Sequence, residues 1–134
     1  MVAMGDFDVV VGAGTYRSPA VDAMSFPHRW TAEGVTVAAA FTGAHLLHLA
    51  AAGCVLNDVY REAERLGLPV AGVRVTATGA FDTETWASTG IDYAVDVDSP
   101  APAERVDEVL AAVDAVAEIP RAIRAGAPVR RIER

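Results

Sequence analysis

Lysine is absent from this chain of 134 residues, and all 11 of its cationic side chains are arginine. Against them stand 18 acidic residues, for a formal net charge of −7, so the surface repels phosphate backbones and nucleic acid is excluded as an expected partner. Cysteine occurs once, at Cys54, which rules out an intrachain disulfide and a cysteine-rich zinc site. The opening MVAMGDFDVVVG lacks a basic region followed by an apolar one; no secretory leader is read there, and the cytoplasm is the expected compartment. Uncharged runs of membrane length are also scarce. Gly34 to Asn57 carries no formal charge, but Val35, Val37 and Ala39 alternate with Thr36 and Ala38, Thr42-Gly43 breaks the run, and two histidines follow. It reads as a strand and then a buried helix, with no membrane partner.

What is present is a globular composition, 52% hydrophobic and 22% charged, without linker or internal repeat, so residues 1–134 are expected to form one domain. Its longest pattern is HLLHLAAAGCVLNDVYREAERL, His45 to Leu66. Thr42 stands before it as an N-cap, and Gly67 followed by Leu68-Pro69 is a stop, because glycine takes the left-handed position after a helix and proline cannot extend it. About 24 residues at 1.5 Å each make a rod of roughly 35 Å. From Leu46 to Leu56 nearly every position is apolar or small, which demands cover on all sides. From Asn57 the pattern turns amphipathic, with Asp58, Arg61, Glu62, Glu64 and Arg65 read as the solvent face. A chain this short has little material to wrap such a rod, so a homodimer with these helices in or near its core is expected.

Around the rod, strands are expected at Phe7 to Val11, Met24 to Trp30, Val35 to Phe41, Val70 to Phe81 and Gly90 to Asp98. In the last of these Ile91, Tyr93, Val95 and Val97 alternate with Asp92, Asp96 and Asp98, the period of a half-buried strand. Gly12-Ala13-Gly14 is read as a turn. It is not a dinucleotide loop, since Arg17 takes the third glycine position and Ser18-Pro19 follows where a helix should begin. No cofactor is therefore implied. A second helix opens at Ser99-Pro100-Ala101-Pro102 and carries the stripe Val106, Val109, Leu110, Val113, Val116 and Ala117; Pro120 is expected to end or kink it. A short helical turn, Arg121 to Ala125, and a closing edge strand, Val129 to Ile132, complete the order βββ-α-ββ-α-β. The class is α+β, with antiparallel sheets around two helices.

Cys54 is the one candidate nucleophile. A thiol reacts as thiolate, which needs a nearby cation, a helix N-terminus or a hydrogen-bond donor. At 100° per residue, Leu47, Asp58 and Arg61 lie within about 40° of Cys54, whereas His48 is about 120° away and His45 lies on the far side. Any activating base must come from another element, and a small buried hydrophobe is the open alternative for this residue. His45 and His48, at i, i+3, lack the glutamate context of a helical zinc site; hydrogen bonds near the helix start are the expectation and no metal is implied. Arg17 is the candidate functional arginine, and His45, His48 and Trp86 are the candidate substrate contacts.

The segment LLHLAAAGCVLNDVYREAERLGLPVAGVRVTATG resembles the central part of the OsmC/Ohr family, the osmotically inducible and organic hydroperoxide resistance proteins, in its LLxxAxAxC helix and following valine-rich strand. The resemblance implies an OsmC-like fold over the whole chain and an intertwined homodimer with two interface sites. It also implies a reactive cysteine, matched by Cys54, and an arginine, matched by Arg17. The second, resolving cysteine of such peroxidases falls at Ile119, before Pro120, and their glutamate falls at Ala44. What remains is a one-cysteine peroxidase for organic hydroperoxides, recycled by a low-molecular-weight thiol. The alternative is a repurposed relative that binds or transforms a small apolar molecule at the interface without redox chemistry.

Overall fold

The computed structural model describes residues 7–133. Five strands form one antiparallel sheet: β1 (Val9–Gly14), β2 (Met24–Phe26), β3 (Val35–Ala38), β4 (Gly72–Phe81) and β5 (Ser88–Asp98), in the order β2-β3-β1-β4-β5. Three helices pack with it: α1 (Gly43–Arg65), α2 (Ala103–Val116) and α3 (Glu118–Ala125). The α+β class, the antiparallel pairing and the order βββ-α-ββ-α agree with the sequence reading.

The sheet has two unlike faces because side chains alternate along each strand. Val9, Val11, Ala13, Val35, Val37, Val73, Val75 and Ala77 are buried on the inner face, with Ala52, Val55, Leu56, Val59 and Ala63 of α1 in the same core. Val109 and Val113 of α2 join that core beside α1, and Asp114 of the same helix meets Tyr93 of β5. Each such fully buried valine or leucine contributes about 1.5–3 kcal/mol relative to exposure, so the long helix is held against both sheet and α2. Thr42 caps it as expected, its hydroxyl accepting from His45 N at 3.2 Å, and Gly67 follows the C-cap Leu66 at φ +71°.

Several details differ from the sequence reading. The first strand starts two residues later and runs through Gly12-Ala13-Gly14, so these glycines are strand and the turn falls at Gly14 to Arg17. Gly14 is required there: its φ is +61°, and a β-carbon would collide with the carbonyl of Ala71. The second strand stops at Phe26, leaving His28 to Trp30 irregular. The second helix ends before Pro120, with the break at Ala117 in extended conformation. Pro120 instead lies in the first turn of α3, where its missing N–H would have no helical acceptor. The expected closing strand is not formed: Val129 to Ile132 is irregular, with Val129 and Ile132 exposed and no ladder partner among the described residues. Asp58 and Glu62, expected in solvent, are buried. No described helix is long and apolar enough to cross a membrane.

Candidate functional site

Cys54 lies half-buried on α1, on the side facing α3. One turn further on, the helical period brings Asp58 beneath it, and the thiol donates to Asp58 Oδ2 at 3.8 Å. Asp58 pairs with Arg61 at 3.1 Å. From α3 the backbone of Ile119 reaches the sulfur and Glu118 stands beside it. Burial pushes the thiol above its ordinary range, Asp58 and Glu118 push it the same way, and only the Ile119 hydrogen bond opposes them. Burial also raises the carboxyl of Asp58, against the pull of Arg61. Ligand atoms of Cys54, Asp58 and Glu118 all lie within 4.8 Å of one another, so these three could hold a cation. Two carboxylates beside a thiol attract a cation and disfavour a bare thiolate.

Arg17 is placed elsewhere. Its Nη2 donates to Ser25 Oγ at 2.9 Å. Ser25 pairs with Thr36 and Thr36 with Gly12, which in turn faces Arg74. Cross-strand partners share a face, and these positions alternate with the buried valines, so Arg17 lies over the outer face of the sheet. Arg74, stacked on Tyr16 with its guanidinium 4.6 Å from the ring centre and paired with Asp96 at 3.0 Å, marks the same face. Within one chain the sheet separates Arg17 from Cys54.

The histidines form a third locality, at the start of α1. His45 Nδ1 lies 2.6 Å from the Thr42 hydroxyl, and its ring meets Phe7 edge-on. His48 is fully buried, donates through Nδ1 to the Phe7 carbonyl at 2.9 Å and stacks on Phe81. Its Nε2 points at the bare α-carbon of Gly79, where a side chain would strike the ring. Trp86, in the β4–β5 turn at φ +61°, borders a 470 Å³ hollow with Phe7, Ala44, Ala80, Phe81 and Thr83. Trp86 and Ala44 are thus together, in a hollow that Cys54 does not line.

Two residues of α3 escaped the sequence reading: Glu118, which stands beside the thiol, and Arg124, which acts on Tyr93. Tyr93 is partly buried on the inner side as the alternation foretold, but its hydroxyl donates to Asp114 Oδ1 at 3.3 Å, and both Cys54 and Arg124 act on it electrostatically. No local signal marks these residues, because α3 meets α1 only through a chain reversal more than 60 residues away. On the opposite flank of α1 a 330 Å³ cavity opens between β2–β3 and the helix, lined by Phe26, His28, Trp30, Leu49, Gly53 and Asn57 among others. His28 bridges its rim, with Nε2 3.1 Å from Asn57 Oδ1 and Nδ1 2.8 Å from the Thr31 hydroxyl.

Between that cavity and Cys54 runs an uncovered strip of α1 formed by exposed Leu46 and Ala50 and half-buried Gly53. The family described as OsmC-like protein matches residues 36–131, a span that holds α1, Cys54, Ile119 and Arg124. Among curated proteins nothing matches. Among solved structures, an OsmC-like hydroperoxide resistance protein from Jannaschia sp. CCS1 is similar, with a TM-score of 0.52 at 14% identity, over 93% of this chain and 92% of that one. At that identity the likeness speaks for the fold.

Proposed function

The chain belongs to the OsmC-like protein family, and from that premise we propose that it reduces organic hydroperoxides through Cys54 as a one-cysteine enzyme, working in the cytoplasm as a homodimer. The observation that carries this reading is the position of the only thiol: half-buried, at the margin of the uncovered Leu46–Ala50–Gly53 strip, with the Ile119 backbone donating to it. A peroxide-related role is in keeping with the solved relative of the same fold. A second copy seated on the strip covers apolar surface that this chain leaves in water.

In the reaction the thiolate of Cys54 attacks the terminal peroxide oxygen and the O–O bond breaks. The alkoxide takes a proton and leaves as the alcohol, and Cys54 becomes a sulfenic acid. One molecule of a low-molecular-weight thiol condenses with it, releasing water. A second displaces the mixed disulfide, restoring Cys54 and leaving an oxidised disulfide of the small thiol. The sum is one hydroperoxide and two thiols to one alcohol, one disulfide and one water. Because burial, and after it Asp58 and Glu118, raise the thiol in one chain, its ionisation in this reading is helped by a cation that the dimer supplies, and Arg17 of the second copy is the candidate. Hydroperoxide consumption with a thiol reductant, compared between the parent and Cys54→Ser, tests it: the variant is expected to be inactive, and equal rates sink the proposal.

A second reading is favoured by the same carboxylates. With Asp58 and Glu118 at the thiol and Arg17 across the sheet, the site also suits a relative that binds a small apolar molecule without redox chemistry. Capture of a compound from cell extract, in a protein lacking peroxide turnover, selects this reading over the first.

A further inference from the structure

On the flank of α1 away from Cys54, the 330 Å³ cavity between β2–β3 and the helix lies within the size range usual for small-molecule sites. Its apolar lining includes Val11, Val37, Leu49 and Leu56. Two features show that nothing among the described residues fills it. Gly53 lines it from the helix, and a β-carbon there would meet no atom within 4 Å, so the chain's own packing does not require a glycine at a position where glycine costs helix stability. Phe26, at the end of β2, is 47% exposed and has no ring partner, whereas Trp30 is stacked on Tyr60 and covered by Arg29. The polar lining is one-sided. His28 Nε2 donates to Asn57 Oδ1 at 3.1 Å, and its Nδ1 accepts from the Thr31 hydroxyl at 2.8 Å. Burial pulls His28 below its ordinary range, against the Asn57 bond, so the ring is neutral and keeps this tautomer. With Oδ1 engaged, the free end of Asn57 is its amide nitrogen. Arg29 has no carboxylate partner among the described residues, its guanidinium lying 5.5 Å over the Trp30 ring. The lining side chains therefore offer free N–H donors and no free acceptor.

We infer that this cavity binds a flat aromatic acid, its ring lying on Phe26 and its carboxylate taking hydrogen bonds from the Asn57 amide and Arg29. Each part of the ligand answers a part of the wall. An unpartnered phenyl ring favours an offset-stacked or edge-on aromatic neighbour over a saturated one. A guanidinium without a carboxylate offers paired donors in the geometry a carboxylate accepts, and a second donor beside it accepts no proton from an amine or alcohol. The aliphatic lining takes the remaining edge of the ring out of water. Cys54 does not line this cavity, so the inference asks nothing of the thiol and stands apart from both readings of it. The second copy proposed for the Leu46–Ala50–Gly53 strip adjoins the cavity at Gly53 and is the rival occupant.

The test is an NMR titration of the full chain with three probes: 2-naphthoate, 2-naphthylmethylammonium, which keeps the ring and replaces the acceptor by a donor, and cyclohexanecarboxylate, which keeps the acceptor and replaces the flat ring. Naphthoate is expected to shift the amides of Gly53 and Asn57 and the indole N–H of Trp30, and to bind about tenfold or more tightly than either control. Asn57→Asp, at an exposed helix position, turns the donor into a like charge and is expected to weaken naphthoate about tenfold or more. Arg29→Gln, also at an exposed position, should weaken it as well, with Arg29→Lys recovering part of the loss. Phe26→Ala should bring naphthoate down toward cyclohexanecarboxylate. No binding of naphthoate, equal binding of the three probes, or shifts confined to Ile91, Tyr93 and Ile123 on the Cys54 side would overturn the inference. Asn57→Asp and Arg29→Gln variants that both bind naphthoate as the parent does overturn it too. Naphthoate bound only by Leu46→Asp, and not by a parent that sediments as a dimer, assigns the cavity to the second copy and overturns the ligand site.

Discussion

The two halves of α1 invert what their compositions announce. The apolar half leaves Leu46 39% exposed, while in the charged half Asp58 and Glu62 are only 2% and 6% exposed. The charged half is closed within the chain: Arg61 reaches Asp58 at 3.1 Å, Arg65 reaches Glu62 at 2.9 Å, and both arginines keep part of their side chains in water. The carboxylates are buried and the guanidinium groups lead the charge outward along flexible stems. The apolar half has no such device, because nothing among the described residues covers the strip through Leu46, Ala50 and Gly53. One half is closed within the chain; the other is the surface on which the proposed second copy would sit.

The most severe way to break this contrast is at its junction. Leu56, 1% exposed, is packed on all sides, and Leu56→Ala is expected to lower unfolding free energy by about 3 kcal/mol in a urea titration. A loss below about 1 kcal/mol would mean that the core does not close around this turn. Within the apolar half, His48 packs on the bare α-carbon of Gly79, so the methyl of Gly79→Ala strikes both the Gly90 carbonyl of β5 and the His48 ring and should cost about 2 kcal/mol. An unchanged urea midpoint would show that strand and ring both give way freely.

Leu46→Asp sharpens the contrast itself. A charge on the uncovered strip is expected to leave the fold of the chain unchanged and to weaken self-association at least about tenfold, read by sedimentation equilibrium. A parent that sediments as a monomer at all concentrations removes the dimer proposal. By comparison Arg61→Ala, which takes the exposed partner from buried Asp58, should cost about 1–2 kcal/mol in the same urea titration.

The smallest effect is a pH slope. Burial raises the carboxyl of Asp58 in the folded chain above its unfolded value, so the fold holds that proton more tightly. The stability this contributes is full at acid pH, below the unfolded pKa, and is lost as pH rises through the folded one. Relative to Asp58→Asn, the parent should therefore lose stability from acid toward neutral pH. Superimposable pH profiles for the two proteins contradict the assignment. The thiol gives a companion measurement: alkylation of Cys54 by iodoacetamide should accelerate only above the ordinary thiol range, because burial and the neighbouring carboxylates disfavour the thiolate.

Much of the fold was legible in local pattern. Thr42 and Gly67 bracket α1 through capping geometry that neighbouring residues decide, and the valine alternation of β4 assigns its faces without knowledge of its partners. The Cys54–Asp58 contact followed from helical period alone. Local pattern failed where long-range neighbours decide. Asp58 and Glu62 read as solvent residues because charge on a helix usually is, yet α2 and α3 fold over them. Val129 to Ile132 read as a strand because it alternates, yet no edge receives it.

By itself the sequence determined a long capped helix with one thiol, flanked by antiparallel strands, in a chain with no second cysteine to close a disulfide cycle. These are properties of spacing and composition. Which groups from beyond its own helix meet that thiol was decided only by tertiary structure. The register of β1 puts Arg17 on the outer face of the sheet, and the break at Ala117 turns α3 so that Glu118 and Ile119 come to Cys54 and Arg124 to Tyr93. A pKa and a binding site depend on distances between groups far apart in the chain, and those distances exist only once the chain has folded.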